Sequence, residues 1–283
     1  MIFEPVLIGG VLLRRYKRFL ADIGLDTGET ITAHTPNTGS MLGCAVPGSR
    51  VWLSHSANPS RKYAHSWELV EVAPGVTVGI NTHLPNRLVQ EGIEQDRIPE
   101  LHGYGELRRE VRYGEEGSRI DLLLSGHARH PDAFVEVKNV TAAVEDGIAL
   151  FPDAVSARGS KHLRELAVQA ERGQRAVILF CVQRCDVREV RPADGIDPLY
   201  GETLRRALER GVEALAYQVR VSPGGAELTQ RLPPPPAAHR PIQHFTPDEQ
   251  FLMTPLRPCV LMSPHVSPHR TLRRTALYPR QAA

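Results

Sequence analysis

Four cysteines in 283 residues, Cys44, Cys181, Cys185 and Cys259, are too few and too scattered for a disulfide framework or a paired zinc motif. Reduced thiols are the expectation. Aromatic residues make up only 6% of the chain, and no apolar run is long enough to cross a bilayer. The opening stretch MIFEPVLIGGVLLRRYKRF carries its charges after its short apolar part, the reverse of a secretory leader. A cytoplasmic protein without a membrane partner is expected. Net charge is nearly absent as well, with 34 basic residues against 32 acidic ones. Any anion-binding surface must therefore come from local clustering. A glycine-rich phosphate loop is also missing, which disfavours a small phosphorylated metabolite as substrate.

What the chain does have is length and apolar content, 41% hydrophobic, enough for two compact domains. Residues 1–82 read as short β-runs, Val11 to Ile23, Glu29 to His34, Ser49 to Ser56 and Trp67 to Val72, separated by Gly, Pro, Asn and Ser. That spacing predicts a small β-barrel, with a boundary near Gly79 to His83. Residues 83–232 alternate helices and strands, the pattern of an α/β domain with a mixed sheet flanked by helices. PNRLVQEGIEQ predicts a helix with Pro85 near its start, followed by three strands, ELRREVRYG, SRIDLLL and AFVEVKNV, and a loop containing FPDA. SARGSKHLRELAVQAERG predicts a long helix, capped at Ser156 or Ser160 and closed by Gly173. RAVILFCVQ is a buried strand by its continuous apolar run, and a further helix and strand follow. Residues 233–283 hold 11 of the 23 prolines and six arginines against Asp248 and Glu249. This segment reads as a disordered tail that carries the chain's excess of basic charge.

The chemistry lies in SRIDLLL and FVEVKNV. Side chains alternate along a strand, so Glu136 and Lys138 share a face, and a hairpin brings Asp121 of the preceding strand beside Glu136. Two such carboxylates repel unless one takes a proton or a divalent cation bridges them. Mg²⁺ fits, with Mn²⁺ as the alternative, because it accepts one or two carboxylates, retains waters and takes phosphate oxygens. Lys138 adds a point charge for a phosphate or an attacking water. The set Asp121, Glu136 and Lys138 therefore points to phosphodiester hydrolysis, with Glu91 on the preceding helix completing the acids and Glu106 and Glu110 competing for that place.

The order of elements resembles the PD-(D/E)xK nuclease core. The wider motifs, RRYKRFLAD (14–22), HTPNTGSM (34–41), NTHLPNRLVQEGI (81–93), SRIDLLL, FVEVKNVT, FPDAVSARGSKHLREL (151–166) and GQRAVILF (173–180), resemble the sugar fermentation stimulation protein A family over residues 10–232. That resemblance implies an N-terminal OB-fold barrel joined to a nuclease-like domain, and a DNA-binding protein tied to expression of sugar-use genes. It carries Glu91, Asp121, Glu136 and Lys138 onto the nuclease pattern. RRYKRF then reads as a nucleic-acid strand, with Arg14, Arg15, Lys17 and Arg18 on phosphates and Tyr16 or Phe19 stacking a base. Lys161, at the start of the long helix, is the candidate there for phosphate. Two functions follow: a Mg²⁺-dependent nuclease acting on DNA, or a non-catalytic DNA-binding regulator that keeps the nuclease core as scaffold. Sheet-edge or barrel contacts would allow a homodimer.

Overall fold

The computed structural model describes residues 1–144 and 147–238, so nearly all of the proline-rich tail lies outside the described residues. The first unit contains β1 (Ile8–Tyr16), β2 (Leu20–Leu25), β3 (Thr30–His34), β4 (Arg50–His55), β5 (His65–Ala73) and β6 (Val76–Gly79). Strands run in the order β3-β2-β1-β4-β5-β6, and a β3–β5 pairing at His34 and Ser66 closes five of them into the barrel that the resemblance implies. Alternating Leu12, Ile23, Val51, Leu53, Trp67 and Val70 fill its interior.

One expectation is corrected here. Val11 to Ile23 is two strands, because the chain reverses at Lys17 and Arg18, whose φ values of 49° and 65° make a tight hairpin turn. Such a turn normally uses Asn or Gly, so Lys-Arg gave no turn signal. The single strand read for RRYKRF therefore stops at Tyr16.

The second unit begins at α1 (Leu84–Glu94) and a short 3₁₀ turn, Pro99–Leu101. It continues through β7 (Glu106–Tyr113), β8 (Ser118–Ser125), β9 (Ala133–Val140), β10 (Ala142–Val144), β11 (Ile148–Phe151), α2 (Ala157–Glu171), β12 (Arg175–Val182), β13 (Glu189–Pro192), α3 (Pro198–Glu209), β14 (Glu213–Ser222) and β15 (Gly225–Leu232). The main sheet has the order β15-β14-β12-β9-β8-β7. Its centre, β9, β12 and β14, is parallel, while β7, β8 and β15 are antiparallel. Leu88 and Val89 of α1 pack on one face, and Leu163, Leu166 and Ala167 of α2 with Leu204 of α3 pack on the other. Ser156 caps α2 by accepting a hydrogen bond from the Gly159 N–H at 3.1 Å. The loop expected around FPDA is partly strand, since β11 sits between β10 and β13 in a small second sheet. Strands of three or four residues are too short to show a period.

Barrel and α/β unit share a core. Leu7 and Leu69 belong to the same apolar cluster as Leu122, Val135 and Leu179. Asp153, just past β11, accepts hydrogen bonds from the Met41 N–H at 3.0 Å and from the Ser40 hydroxyl. Among the described residues no helix is long and apolar enough to cross a membrane.

Candidate active site

β8 and β9 stay paired only from Leu124–Ala133 to Leu122–Val135. Past that point Asp121 does what the next backbone carbonyl would have done, its Oδ2 accepting the Val137 N–H at 2.8 Å. The strands thus part where the two acids sit. Asn86 of α1 donates to Asp121 Oδ1 at 2.8 Å and fixes the other oxygen. Glu136, only 3% exposed, takes Lys138 Nζ on Oε1 at 2.6 Å, and His162 Nδ1 of α2 reaches the same oxygen. Its second oxygen, Oε2, is buried with no hydrogen-bond partner among the described residues.

The electrostatics follow from this packing. Burial pushes the Asp121 carboxyl up to about 6, with the Glu136 charge adding to it and the Val137 N–H, Lys138 and Asn86 opposing. Burial acts on Glu136 in the same direction, but the charges and hydrogen bonds of Lys138 and His162 outweigh it and hold that carboxyl below its ordinary value. Tyr113 and Tyr200 sit buried near Glu136, their phenols pushed up first by burial and next by its charge. The hydroxyls of both lack a hydrogen-bond partner among the described residues. A carboxylate kept ionised in this setting, with one oxygen unclaimed, is suited to a cation.

Thr82, Asn86, Asp121, Glu136, Lys138, Arg158 and His162 line a cleft of about 240 Å³. A neighbouring cleft of about 260 Å³ shares Thr82, Lys138 and Asn139 and is walled by the barrel loop Pro36 to Gly39. The barrel therefore forms one side of the site.

Other residues singled out by sequence are placed differently. Glu91 does not reach the carboxylates: it takes the Met1 ammonium and the Gln95 amide, each at 3.0 Å. On α1 it lies five residues from Asn86, about 140° around the helix, so only one of the two can face Asp121. Glu106 is exposed and accepts from Ser125 Oγ, and exposed Glu110 holds a φ of 53°. Arg15 donates to the carbonyls of Asn37 and Gly39, and Arg18 to that of Thr38, so both brace the barrel loop. Arg14 and Tyr16 both bond Asp22. Lys17 is exposed at the turn, and Lys161 donates to the Glu116 carbonyl.

His162 and Asn86 carry roles that the sequence did not single out. A signal existed for the first: His162, Glu165 and Gln169 are buried polar residues three and four apart on α2, beside its apolar stripe.

Comparison with known proteins agrees with this architecture. Residues 83–225 match the model of the sugar fermentation stimulation protein RE domain, and residues 13–80 match that of the SfsA N-terminal OB domain. The sugar fermentation stimulation protein homologs of Alkalilimnicola ehrlichii and Thioalkalivibrio sulfidiphilus are each 62% identical. Each alignment covers 82% of this chain, with 98% of the first protein and 97% of the second. The structure of Pyrococcus furiosus SfsA in complex with Ca²⁺ superposes with a TM-score of 0.75 at 30% identity, covering 83% of this chain and 97% of that one. With both domain models matched in order and relatives aligned along almost their whole length, the chain belongs to the SfsA family, an OB barrel followed by a restriction-endonuclease-like domain.

Proposed function

We propose that this protein binds DNA and hydrolyses its phosphodiester bonds with a divalent cation, Mg²⁺ or Mn²⁺, held by Asp121 and Glu136. The observation that carries the reading is the buried Glu136 carboxylate and the half-buried Asp121 carboxylate beside Lys138, with Glu136 Oε2 left unclaimed. The donor set fits the cation: two carboxylates suit an ion that keeps several waters, and its charge offsets the burial that raises Asp121 and the Glu136 repulsion that adds to it. The relative from Pyrococcus furiosus is in complex with Ca²⁺, which takes the same class of oxygen ligand. Once bound, such an ion polarises a phosphoryl oxygen and acidifies a coordinated water.

The chain's own residues do the rest. Asn86 and the Val137 N–H hold Asp121 in one rotamer, and His162 fixes Glu136 from the helix side. Lys138 keeps two N–H groups beyond its bond to Glu136, enough to meet a phosphate oxygen or orient the attacking water. The barrel loop across the cleft aligns the strand. The link to sugar-use genes, which the family's name suggests, follows from DNA binding in this reading.

A second reading has one observation in its favour. Among the described residues no group of three or more His, Cys, Asp or Glu side chains assembles to hold a metal. A non-catalytic DNA-binding regulator that keeps the core as scaffold is compatible with that. One experiment separates the two: plasmid and single-stranded DNA incubated with Mg²⁺ or Mn²⁺ beside an Asp121→Ala, Glu136→Ala double variant and an EDTA control, with gel shifts on the same samples. Cutting that EDTA and the double substitution both abolish supports the nuclease. Binding without cutting, unchanged by the substitutions, supports the regulator.

A further inference from the structure

Most arginines of this chain have partners, and those that do not are unevenly placed. Among the described residues six arginine side chains make neither a hydrogen bond nor an ion pair: Arg87, Arg109, Arg112, Arg119, Arg129 and Arg188. Four of the six flank Asp121. Arg87 follows Asn86, the residue that holds Asp121 Oδ1. Arg109 is paired with Leu122, the residue after Asp121. Arg112 and Arg119 stand directly opposite each other across the β7–β8 hairpin, with Arg119 two residues before Asp121.

That last pair is anomalous on its own terms. Directly opposed residues of an antiparallel pair hold their Cβ atoms roughly 5 Å apart, and like charges there destabilise the sheet. Nearby acids do not compensate. Glu106 pairs with Arg108, Glu115 with Arg172 and Glu116 with Arg164, while Glu110 makes no ion pair among the described residues. Both arginines are exposed. With a rise of about 3.3 Å per residue, Arg119 is roughly 7 Å along the strand from Asp121, about the separation of consecutive phosphates on a nucleic-acid strand.

We propose that Arg112 and Arg119 grip one phosphodiester of a DNA strand between them, with Arg87 and Arg109 extending the track past the carboxylates. The inference rests on the DNA-cleaving reading above and adds the path of the substrate. DNA approaches over the β7–β8 hairpin, not over β1 of the barrel, where Arg14, Arg15 and Arg18 already bond Asp22 or backbone carbonyls. Like charge at the pair is then neutralised only when a phosphate sits there.

The test uses the full chain and fluorescence anisotropy with a short labelled DNA single strand and its duplex, in EDTA, over a series of salt concentrations. An Arg112→Gln, Arg119→Gln double variant is compared with an Arg129→Gln, Arg188→Gln control that removes the same charge elsewhere. The proposal expects the first variant to bind about tenfold or more weakly at low salt, and the slope of log K against log salt to fall by about one to two. The control should match the native protein. Thermal midpoints of the first variant should be no lower than native, since a like-charge contact has been removed. Native-like affinity and slope in the first variant, or an equal loss in the control, overturns this proposal while leaving the nuclease reading intact. A native protein that binds neither DNA, in EDTA or with Ca²⁺ in its place, overturns both. Binding with the expected losses, but no cleavage of the same DNA once Mn²⁺ replaces EDTA, overturns only the hydrolytic reading.

Discussion

Glu136 is held ionised inside the sheet by Lys138 at 2.6 Å and by His162, so removing either partner strands a buried charge. Lys138→Ala is expected to lower stability by about 3–5 kcal/mol, read by urea unfolding, as well as activity. Asp121 gives a pH signature. Its folded carboxyl titrates near 6, above the ordinary value for aspartate, so the folded state binds the proton more tightly than the unfolded chain does. The stabilisation is complete below about pH 4 and is lost as pH rises through about 6. In metal-free buffer Asp121→Asn should remove that loss, raising stability at pH 7 by about 2–3 kcal/mol relative to its effect at pH 4. Denaturant melts at the two pH values check this, and a pH-independent difference would count against it. Asp121, Glu136 and Lys138 were legible because strand alternation over two short runs dictates which side chains meet. Asn86 and His162 were not, since their roles depend on how α1 and α2 lie across the sheet.

At the level of elements, the barrel loop Asn37 to Met41 is clamped between Arg15 on one side and Asp153 on the other. Asp153→Ala removes the acceptor for the Met41 N–H and should cost about 1–3 kcal/mol in chemical denaturation. The junction is tight elsewhere too. Gly79 donates its N–H to the Gln183 carbonyl at 3.0 Å, and a Cβ on Gly79 would lie 2.2 Å from Gln183 Oε1. Gly79→Ala should therefore destabilise by about 1–3 kcal/mol, whereas Gly28→Ala meets open space and fails only through its φ of 89°. The long helix α2, the buried strand β12 and the hairpin strands β7 to β9 were legible because apolar period, cap and turn signals all agree there. The β1–β2 reversal was hidden, since Lys17 and Arg18 adopt left-handed backbone angles with no local sequence signal.

Across the whole molecule, the barrel and the α/β unit are joined by a common apolar cluster containing Leu7 and Leu69 beside Leu122 and Leu179. Two units with a shared core should melt as one, so calorimetry is expected to give a single transition, and a resolved pair would contradict the shared core. Fold and family were readable because the motifs run in order through both domains, while the proposed route of DNA was not, because it depends on which arginines already have partners. Asp121 and Glu136, beside Lys138, are proposed to make a cation-dependent cleavage site to which Glu91 does not contribute. Hydrolysis of a labelled DNA strand with Mn²⁺ should be compared for the native protein, Glu136→Gln and Glu91→Gln. The expected result is a loss on the order of a hundredfold or more for Glu136→Gln and near-native turnover for Glu91→Gln, whose partners are Met1 and Gln95. Undiminished cleavage by Glu136→Gln, or its disappearance in Glu91→Gln, would contradict it.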